Sequence, residues 1–285
     1  MTSAVAVLAL GGMAMAAPMP PPEVRAETAP DGTVVKLVNS YGRKGSARLL
    51  VGGGKAATLA QGESAGTIVV GHGRVVVALA VDHAGEPFHI HVVDGGAAGK
   101  AVAVARPVAR HDYPFAVAGA VTPDGFAIFF QEVQGDDPTA AHTYLVKLDD
   151  QGAPVGAAVE VPVPWSLAAA AWNGNGYHLA LLFPGYGDGM RLSMVSITAA
   201  GQPQQHPDWA SAAGYIGDVH LVAADGKVRA FYRGGAGGDR LLESDVSAIG
   251  NWGTEPAKAR DHGGLPGSKA IAIADDKPRA VDRPR

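Results

Sequence analysis

The feature that most constrains this chain is a repeat of about 51 residues. Each copy has a turn that ends in glycine and then an apolar strand, as in PDGFAIFFQEV and GNGYHLALLF. The repeated glycines, spaced 52, 51 and 50 residues apart, are Gly73, Gly125, Gly176 and Gly226. Asp-Gly and Asn-Gly are favoured in two-residue hairpin turns of type I′, because both central positions need a positive φ. Each copy therefore predicts a hairpin.

The rest of each repeat supplies a third strand, such as HTYLVKLD, and a short fourth one, such as AAVEV. Four antiparallel strands at a period of about 50 residues are typical of a β-propeller blade. The first strands, such as AVAGAV and SLAAAA, consist of small residues, as expected where all blades converge on a narrow axis. Alanine also favours helix, but the flanking glycines and hairpin turns argue against it. The predicted fold class is all-β.

The strands divide into four complete blades and two leftovers, one at each end of the chain. The N-terminal leftover holds three strand candidates and the C-terminal one holds a single good strand, AIAIA. A composite blade, with AIAIA innermost, would close the ring at five blades and leave no exposed edge there. The alternative is an open array. Within a single domain at 31–285, the predicted blades are 66–108, 114–163, 166–210, 215–260 and the composite 31–62 with 268–277.

Composition excludes several functional classes. The chain of 285 residues has 39 glycines and 20 prolines, which suits a fold with many turns. It has a net charge of −4 and no basic block, so we expect no nucleic-acid partner. Cysteine is absent, which excludes disulfides and thiol nucleophiles. No apolar run reaches the roughly 18 residues that a membrane span needs.

The N-terminus has the features of an export signal. An apolar run, AVAVLALGGMAMA, ends in a small-x-small pattern and is followed by a proline-rich stretch, although no Lys or Arg precedes it. This pattern predicts a signal peptide at 1–16 and a linker at 17–30. The expected location is therefore periplasmic or extracellular.

The repeats resemble those of bacterial secreted β-propeller proteins, in phrases such as AAWNGNGYHLAL, which begins at Ala170. The resemblance concerns the fold. The Trp-Asp dipeptide of WD40 repeats, the S-x-D-x-G-x-T-W box of sialidases and the D-x-D-x-D-G calcium loop are absent from the sequence. Fold alone does not give function. Because blades resemble one another and no catalytic motif occurs, we interpret the protein as a non-catalytic propeller that binds a protein, peptide or carbohydrate.

That binding would use the loops opposite the hairpin turns. Residues there that break the repeat combine aromatic, cationic and acidic groups. The predicted ligand-binding residues are Asp82, His111, Asp112, Tyr113, Trp165, Tyr186, Arg191, Arg233 and Arg240. A polar connection between blades, with tryptophans filling gaps, is the simpler explanation for them.

Two alternatives involve chemistry. A carbohydrate-active hydrolase needs two carboxylates about 5 to 10 Å apart. The available loop acids are Asp82, Asp112, Glu132 and Asp218, and the candidate catalytic residues among them are Asp112, Glu132 and Asp218. In a metal-binding propeller, His83, His89 and His91 would hold a divalent ion such as zinc. His89 and His91 lie two apart on a predicted strand and so share one face. No other cofactor is predicted.

Overall fold

The computed structural model describes residues 23–40, 45–81, 86–94, 97–106, 112–134, 141–163, 167–184, 190–205, 215–235, 237–245 and 259–284. These residues form strands and turns, and they include no helix that could cross a membrane. The predicted signal peptide lies outside them. The strands are β1 (Glu23–Thr28), β2 (Val34–Ser40), β3 (Ser46–Val51), β4 (Ala57–Gln61), β5 (Ser64–Gly71), β6 (Arg74–Val81), β7 (Phe88–Asp94), β8 (Ala97–Ala98), β9 (Val102–Val104), β10 (Asp112–Thr122), β11 (Gly125–Gln134), β12 (Ala141–Asp149), β13 (Val159–Val161), β14 (Leu167–Trp172), β15 (Gly176–Pro184), β16 (Met190–Thr198), β17 (Pro203–Gln205), β18 (Gly217–Ala224), β19 (Lys227–Gly234), β20 (Arg240–Asp245), β21 (Arg260–Gly264), β22 (Lys269–Ala274) and β23 (Lys277–Asp282).

The strands form five sheets around an axis, which confirms the predicted five-bladed β-propeller. Four sheets are antiparallel blades built from β5–β9, β10–β13, β14–β17 and β18–β21. Their innermost strands β5, β10, β14 and β18 contact one another in sequence. The fifth sheet closes the ring, because β22 contacts β18 and β1 contacts β5. We call the end where the inner strands begin the loop face, and the opposite end the hairpin face.

The closing sheet differs from the expected composite blade. Its strand order is β23-β22-β1-β2-β3-β4, so it has six strands. The sequence predicted β2, β3, β4 and β22, but it assigned β1 to the linker at 17–30. In the structure β1 lies between β22 and β2 and pairs with β22 in parallel, with Ala26 opposite Ala272. The two ends of the chain therefore meet at the axis.

The physical reason is the alternation of apolar and charged residues in the segment EVRAET. Val24 and Ala26 are buried on one face of β1, while Glu23, Arg25 and Glu27 point to the other face. Period-two burial of this kind makes a strand, whatever precedes it. The tail forms β23 because it is an edge strand, where Pro278 is tolerated.

Between blades, large side chains fill wedge-shaped spaces, whereas the axis is lined by small ones. Phe88 stacks on Phe130 with ring centroids 4.0 Å apart, between the first two complete blades. At the axis, a Cβ on Gly119 would lie 2.1 Å from Cγ2 of Val69. The close approach of β5 and β10 therefore requires glycine there. The small residues of the inner strands therefore reflect the close packing of these strands at the axis.

The predicted type I′ turns are only partly right. His72-Gly73 and Asp225-Gly226 have positive φ at both positions, as this turn requires. Asp124 and Asn175 do not. The loop between β10 and β11 is Pro123-Asp124, and the proline ring fixes a negative φ at its first position. The hairpins exist where expected, but two of them use other turns.

Candidate functional site

The innermost strands enclose two adjoining cavities on the propeller axis. The larger, about 290 Å³, lies toward the hairpin face and includes Trp172 and Asp275 in its lining. The smaller, about 50 Å³, is lined by residues that include Arg25 and His220. Glu27 lines both cavities. The axis therefore carries charged groups among small apolar residues.

A chain of hydrogen bonds joins three of the strands that line these cavities. His220 on β18 contacts Glu27 on β1 through Nδ1 (3.1 Å) and Asp218 through Nε2 (3.4 Å). The second oxygen of each acid accepts a backbone N–H of β22, from Ile271 to Asp218 (2.8 Å) and from Ile273 to Glu27 (3.3 Å). We call Glu27, His220 and Asp218 the axial triad.

The triad is charged at neutral pH. Burial disfavours a charged His220, but hydrogen bonds to Asp218 and Glu27 outweigh burial and raise the pKa of His220 to about 9. Burial also acts to raise the pKa of Asp218, yet the hydrogen bond and charge of His220 bring it below its usual value. An imidazolium between two carboxylates is the consistent protonation state.

The backbone of β18 explains how two of these side chains reach the axis. The pairing of β18 with β19 shifts register between Gly217 and His220. Asp218 lies in this irregularity with φ of 51°, a conformation that aspartate tolerates better than most residues. The bulge re-aims the Asp218 carboxylate toward His220 and β22.

The raised pKa of His220 predicts a pH-dependent stability. The unfolded pKa is near 6.5, so the contribution of His220 is fully present below that pH. It is lost as pH rises through the folded value of about 9. We expect the free energy of unfolding, measured by urea titration, to fall between pH 7 and 9. The same titration of His220→Gln should lack this fall; an equal fall in the variant would contradict the assignment.

Arg233 was predicted to bind a ligand, but the structure buries it. Its side chain is 4% exposed. One guanidinium nitrogen donates to the carbonyls of Gly238 (2.8 Å) and Leu265 (2.7 Å), and another donates to the carbonyl of Lys269. Arg283 also donates to Lys269. Arg233 therefore fixes the chain that leads into β22, and its binding of a ligand stays a prediction.

Glu132, a candidate catalytic acid, lies in a buried ion pair. Its carboxylate is 2.7 Å from the guanidinium of Arg106, and both side chains are almost fully buried. Arg106 also donates to the carbonyl of Val81 and lies over the ring of Phe88. This pair ties the first complete blade to the second. Glu132 is therefore enclosed by protein and does not reach the axial cavities.

The predicted metal site is only partly described. His89 is 3.8 Å from Glu86, and burial lowers the pKa of His89. His91 is buried, and its Nδ1 is 3.0 Å from the carbonyl of Gly99. Within the described ranges, no cluster of three or more His, Asp or Glu could hold an ion. Because His83 lies outside those ranges, the metal site stays a prediction.

The remaining predicted residues are scattered. Asp112 and Tyr113 begin β10 at the loop face, and Arg191 lies in β16. The exposed Arg240 donates to Oδ2 of Asp261 from two nitrogens, at 2.5 and 3.0 Å, and to Oδ1 at 3.3 Å. The predicted residues that lie outside the described part of the chain are Asp82, His111, Trp165 and Tyr186.

Sequence reasoning missed Glu27 and His220, and it found Asp218 only as one loop acid among several. Glu27 lies in the segment taken for a linker. The alternation of EVRAET was the signal for β1, but a hydrogen bond across 193 residues leaves no local signal. The axial triad forms only when the ring of blades is closed.

Comparisons with known proteins find solved structures with a similar fold, but they show no family for this chain. No protein-family model matches the sequence, and no curated protein does. A GH62 α-L-arabinofuranosidase catalytic domain from Coprinopsis cinerea is similar in structure, with TM-score 0.50, 12% identity and coverage of 85% of this chain and 89% of that one. An α-L-arabinofuranosidase from Podospora anserina has TM-score 0.50, 7% identity and coverage of 76% and 85%. A Synechocystis apocarotenoid oxygenase has TM-score 0.50, 10% identity and coverage of 90% and 64%.

These similarities overturn the interpretation as a non-catalytic binding protein. The three solved structures named above are enzymes, and two of them are arabinofuranosidases. The error came from treating the lack of a local catalytic motif as a sign of no catalysis. In a propeller, side chains that meet at the axis come from different blades, so they form no contiguous motif.

Proposed function

We propose that the protein is a carbohydrate-active hydrolase that acts at the propeller axis. One observation carries the proposal: the Glu27 carboxylate lines both axial cavities and is hydrogen-bonded to a charged His220. Acid–base chemistry on a glycosidic bond needs a group that accepts a proton from water and one that donates a proton to the leaving oxygen. The axial triad offers both.

The arrangement differs from two carboxylates that flank a substrate directly. Since Glu27 and Asp218 bond to opposite nitrogens of one imidazole, their carboxylates lie at most about 9 Å apart, within glycosidase range. The ring of His220 occupies the space between them, so a glycosidic bond cannot lie there. We therefore assign Asp218 as a positioning residue that acts through His220.

The proposed proton transfers balance within the dyad of Glu27 and His220. As the attacking water gives its proton to Glu27 and its hydroxide bonds to the anomeric carbon, the Nδ1–H of His220 turns from Glu27 to the leaving oxygen and donates its proton there. The protonated Glu27 then returns its proton to His220 along the 3.1 Å hydrogen bond. Asp218 keeps its hydrogen bond to Nε2 of His220, favours the charged imidazole before and after each turnover, and takes no part in the proton transfers.

Hydrolysis of 4-nitrophenyl glycosides tests the proposal, beginning with the α-L-arabinofuranoside because of the shared fold. We expect Glu27→Gln to lower kcat by about 10²–10⁴-fold, the usual contribution of a general base. Glu160→Gln is the matched control, since the half-exposed Glu160 pairs with His142 on outer strands. Both variants are also measured by urea unfolding, so that kcat refers to folded protein only.

Two outcomes contradict the proposal. One is a wild-type protein that hydrolyses none of the 4-nitrophenyl glycosides tested. The other is a folded Glu27→Gln with wild-type kcat. A kcat that falls above pH 9 in the wild type would support proton donation from His220, because its pKa is about 9.

We also propose export to the periplasm or the cell exterior. The support is the apolar run and small-x-small pattern within residues 1–16, which lie outside the described part of the chain. N-terminal sequencing of material from the native host tests it. A mature chain that retains Met1 would contradict export through this segment.

A further inference from the structure

Tyr215 presents an open aromatic ring at the loop face. It lies two residues before β18 and is 45% exposed. The other exposed large apolar side chains in the described part of the chain are all valines, and they are Val102, Val121, Val155 and Val159. An exposed aromatic ring beside the start of an inner strand is therefore distinctive on this surface.

The Tyr215 side chain packs against the backbone of two glycines, Gly217 and Gly238, and the residue is still 45% exposed. A Cβ on Gly238 would lie 2.6 Å from Cδ1 of the ring, and one on Gly217 would lie 2.7 Å from its hydroxyl oxygen. Gly238 also has φ of +63°. The backbone N–H of Tyr215 donates to the carbonyl of Gly235 (3.1 Å), which holds the residue in place. The ring rests against bare backbone, and no side chain of these neighbours shields it.

The charges around Tyr215 are balanced. Arg240 is paired with Asp261, and Arg283 lies 3.9 Å from Asp218. Among the described residues, Arg233 and Arg283 interact with Asp218, and Arg240 interacts with Asp239 and Asp261. A surface that selects a polyanion needs surplus positive charge. This surface suits an uncharged ligand with hydroxyl groups for the exposed polar side chains.

We propose that Tyr215 is a stacking platform for a neutral oligosaccharide. One face of a sugar ring presents C–H groups, which pack on the negative face of an aromatic ring. Its hydroxyls can then bond to the carboxylate of Asp239 and the guanidinium of Arg240. This inference rests on the proposed function, because it names the substrate class of the same enzyme. It adds that a neutral chain, and not an anionic one, is bound at the loop face.

Calorimetric titration tests whether Tyr215 binds a neutral oligosaccharide. The Glu27→Gln protein is used so that the oligosaccharide is not hydrolysed during the titration. The probes are xylotetraose and arabinotetraose as neutral chains and tetragalacturonate as an anionic one. We expect a neutral chain to bind and tetragalacturonate not to bind. Adding Tyr215→Ala should weaken binding by about tenfold, whereas Tyr215→Trp should preserve or strengthen it. Val159→Ala, also exposed but on an outer strand, is the matched control.

The outcomes separate the two proposals. Neutral-chain binding that depends on Tyr215 supports the platform even if the wild type hydrolyses nothing. Binding that Tyr215→Ala leaves unchanged overturns the platform even if hydrolysis occurs. Binding of neither neutral probe by the folded protein, or preference for tetragalacturonate, also overturns it.

Discussion

Replacement of His220 by glutamine should lower the free energy of unfolding by about 3 to 5 kcal/mol, the cost of removing one partner from a buried ion pair. The variant leaves Glu27 and Asp218 facing each other without the cation between them. Both acids also hold backbone N–H groups of β22, so the seam between β1 and β22 should loosen. Urea unfolding at pH 7 measures the loss.

His142→Gln is the matched control for that experiment. His142 pairs with Glu160 at 2.7 Å, but the Glu160 side chain is 45% exposed. A pair so accessible to water contributes about 0 to 1 kcal/mol. A His220→Gln protein as stable as this control would show that the axial triad does not stabilise the ring.

The second large effect is expected for Arg233→Met. Methionine fills similar space but leaves the carbonyls of Gly238 and Leu265 without their arginine donor, and the carbonyl of Lys269 keeps only Arg283. Each buried group left unpaired costs about 1 to 3 kcal/mol, so the free energy of unfolding should fall by about 3 to 5 kcal/mol. Arg233→Lys should recover part of this, because one ammonium can reach some of the carbonyls.

Arg240→Met is the control. Arg233 and Arg240 both belong to the blade β18–β21, and the sequence analysis predicted that both bind a ligand. Arg240 is exposed and pairs with Asp261 at the surface. Its replacement should leave the unfolding transition almost unchanged. Equal losses for the two variants would contradict the role assigned to Arg233.

The repeat made most of the fold predictable. Strands that recur every 51 residues or so support one another's assignment, and Gly73 and Gly226 occupy the turn positions expected of them. β1 has no repeated copy and follows prolines, so its single alternating segment was taken for a linker. Local sequence identifies strands, but it cannot show that β1 will lie between β22 and β2.

The candidate site was less predictable, for a geometric reason. Asp218 was identified because acids near inner strands are conspicuous in sequence. Glu27 lies near the opposite end of the chain, and its hydrogen bond to His220 forms only when the ring closes. Glu132 and Arg233 show the converse: a charged residue near a loop can be buried as part of the scaffold.

The parallel pairing of β1 with β22 also sets the order in which the molecule can be completed. During synthesis β1 leaves the ribosome before every blade, while its partner follows about 240 residues later, as the 246-residue span between Glu27 and Ile273 shows. The four repeated blades can form from local hairpins as they emerge. The ring must wait for the last strands, and contacts between distant segments form slowly. Until then one edge of β1 stays open to other chains, so the newly made protein is most exposed to mispairing just before release.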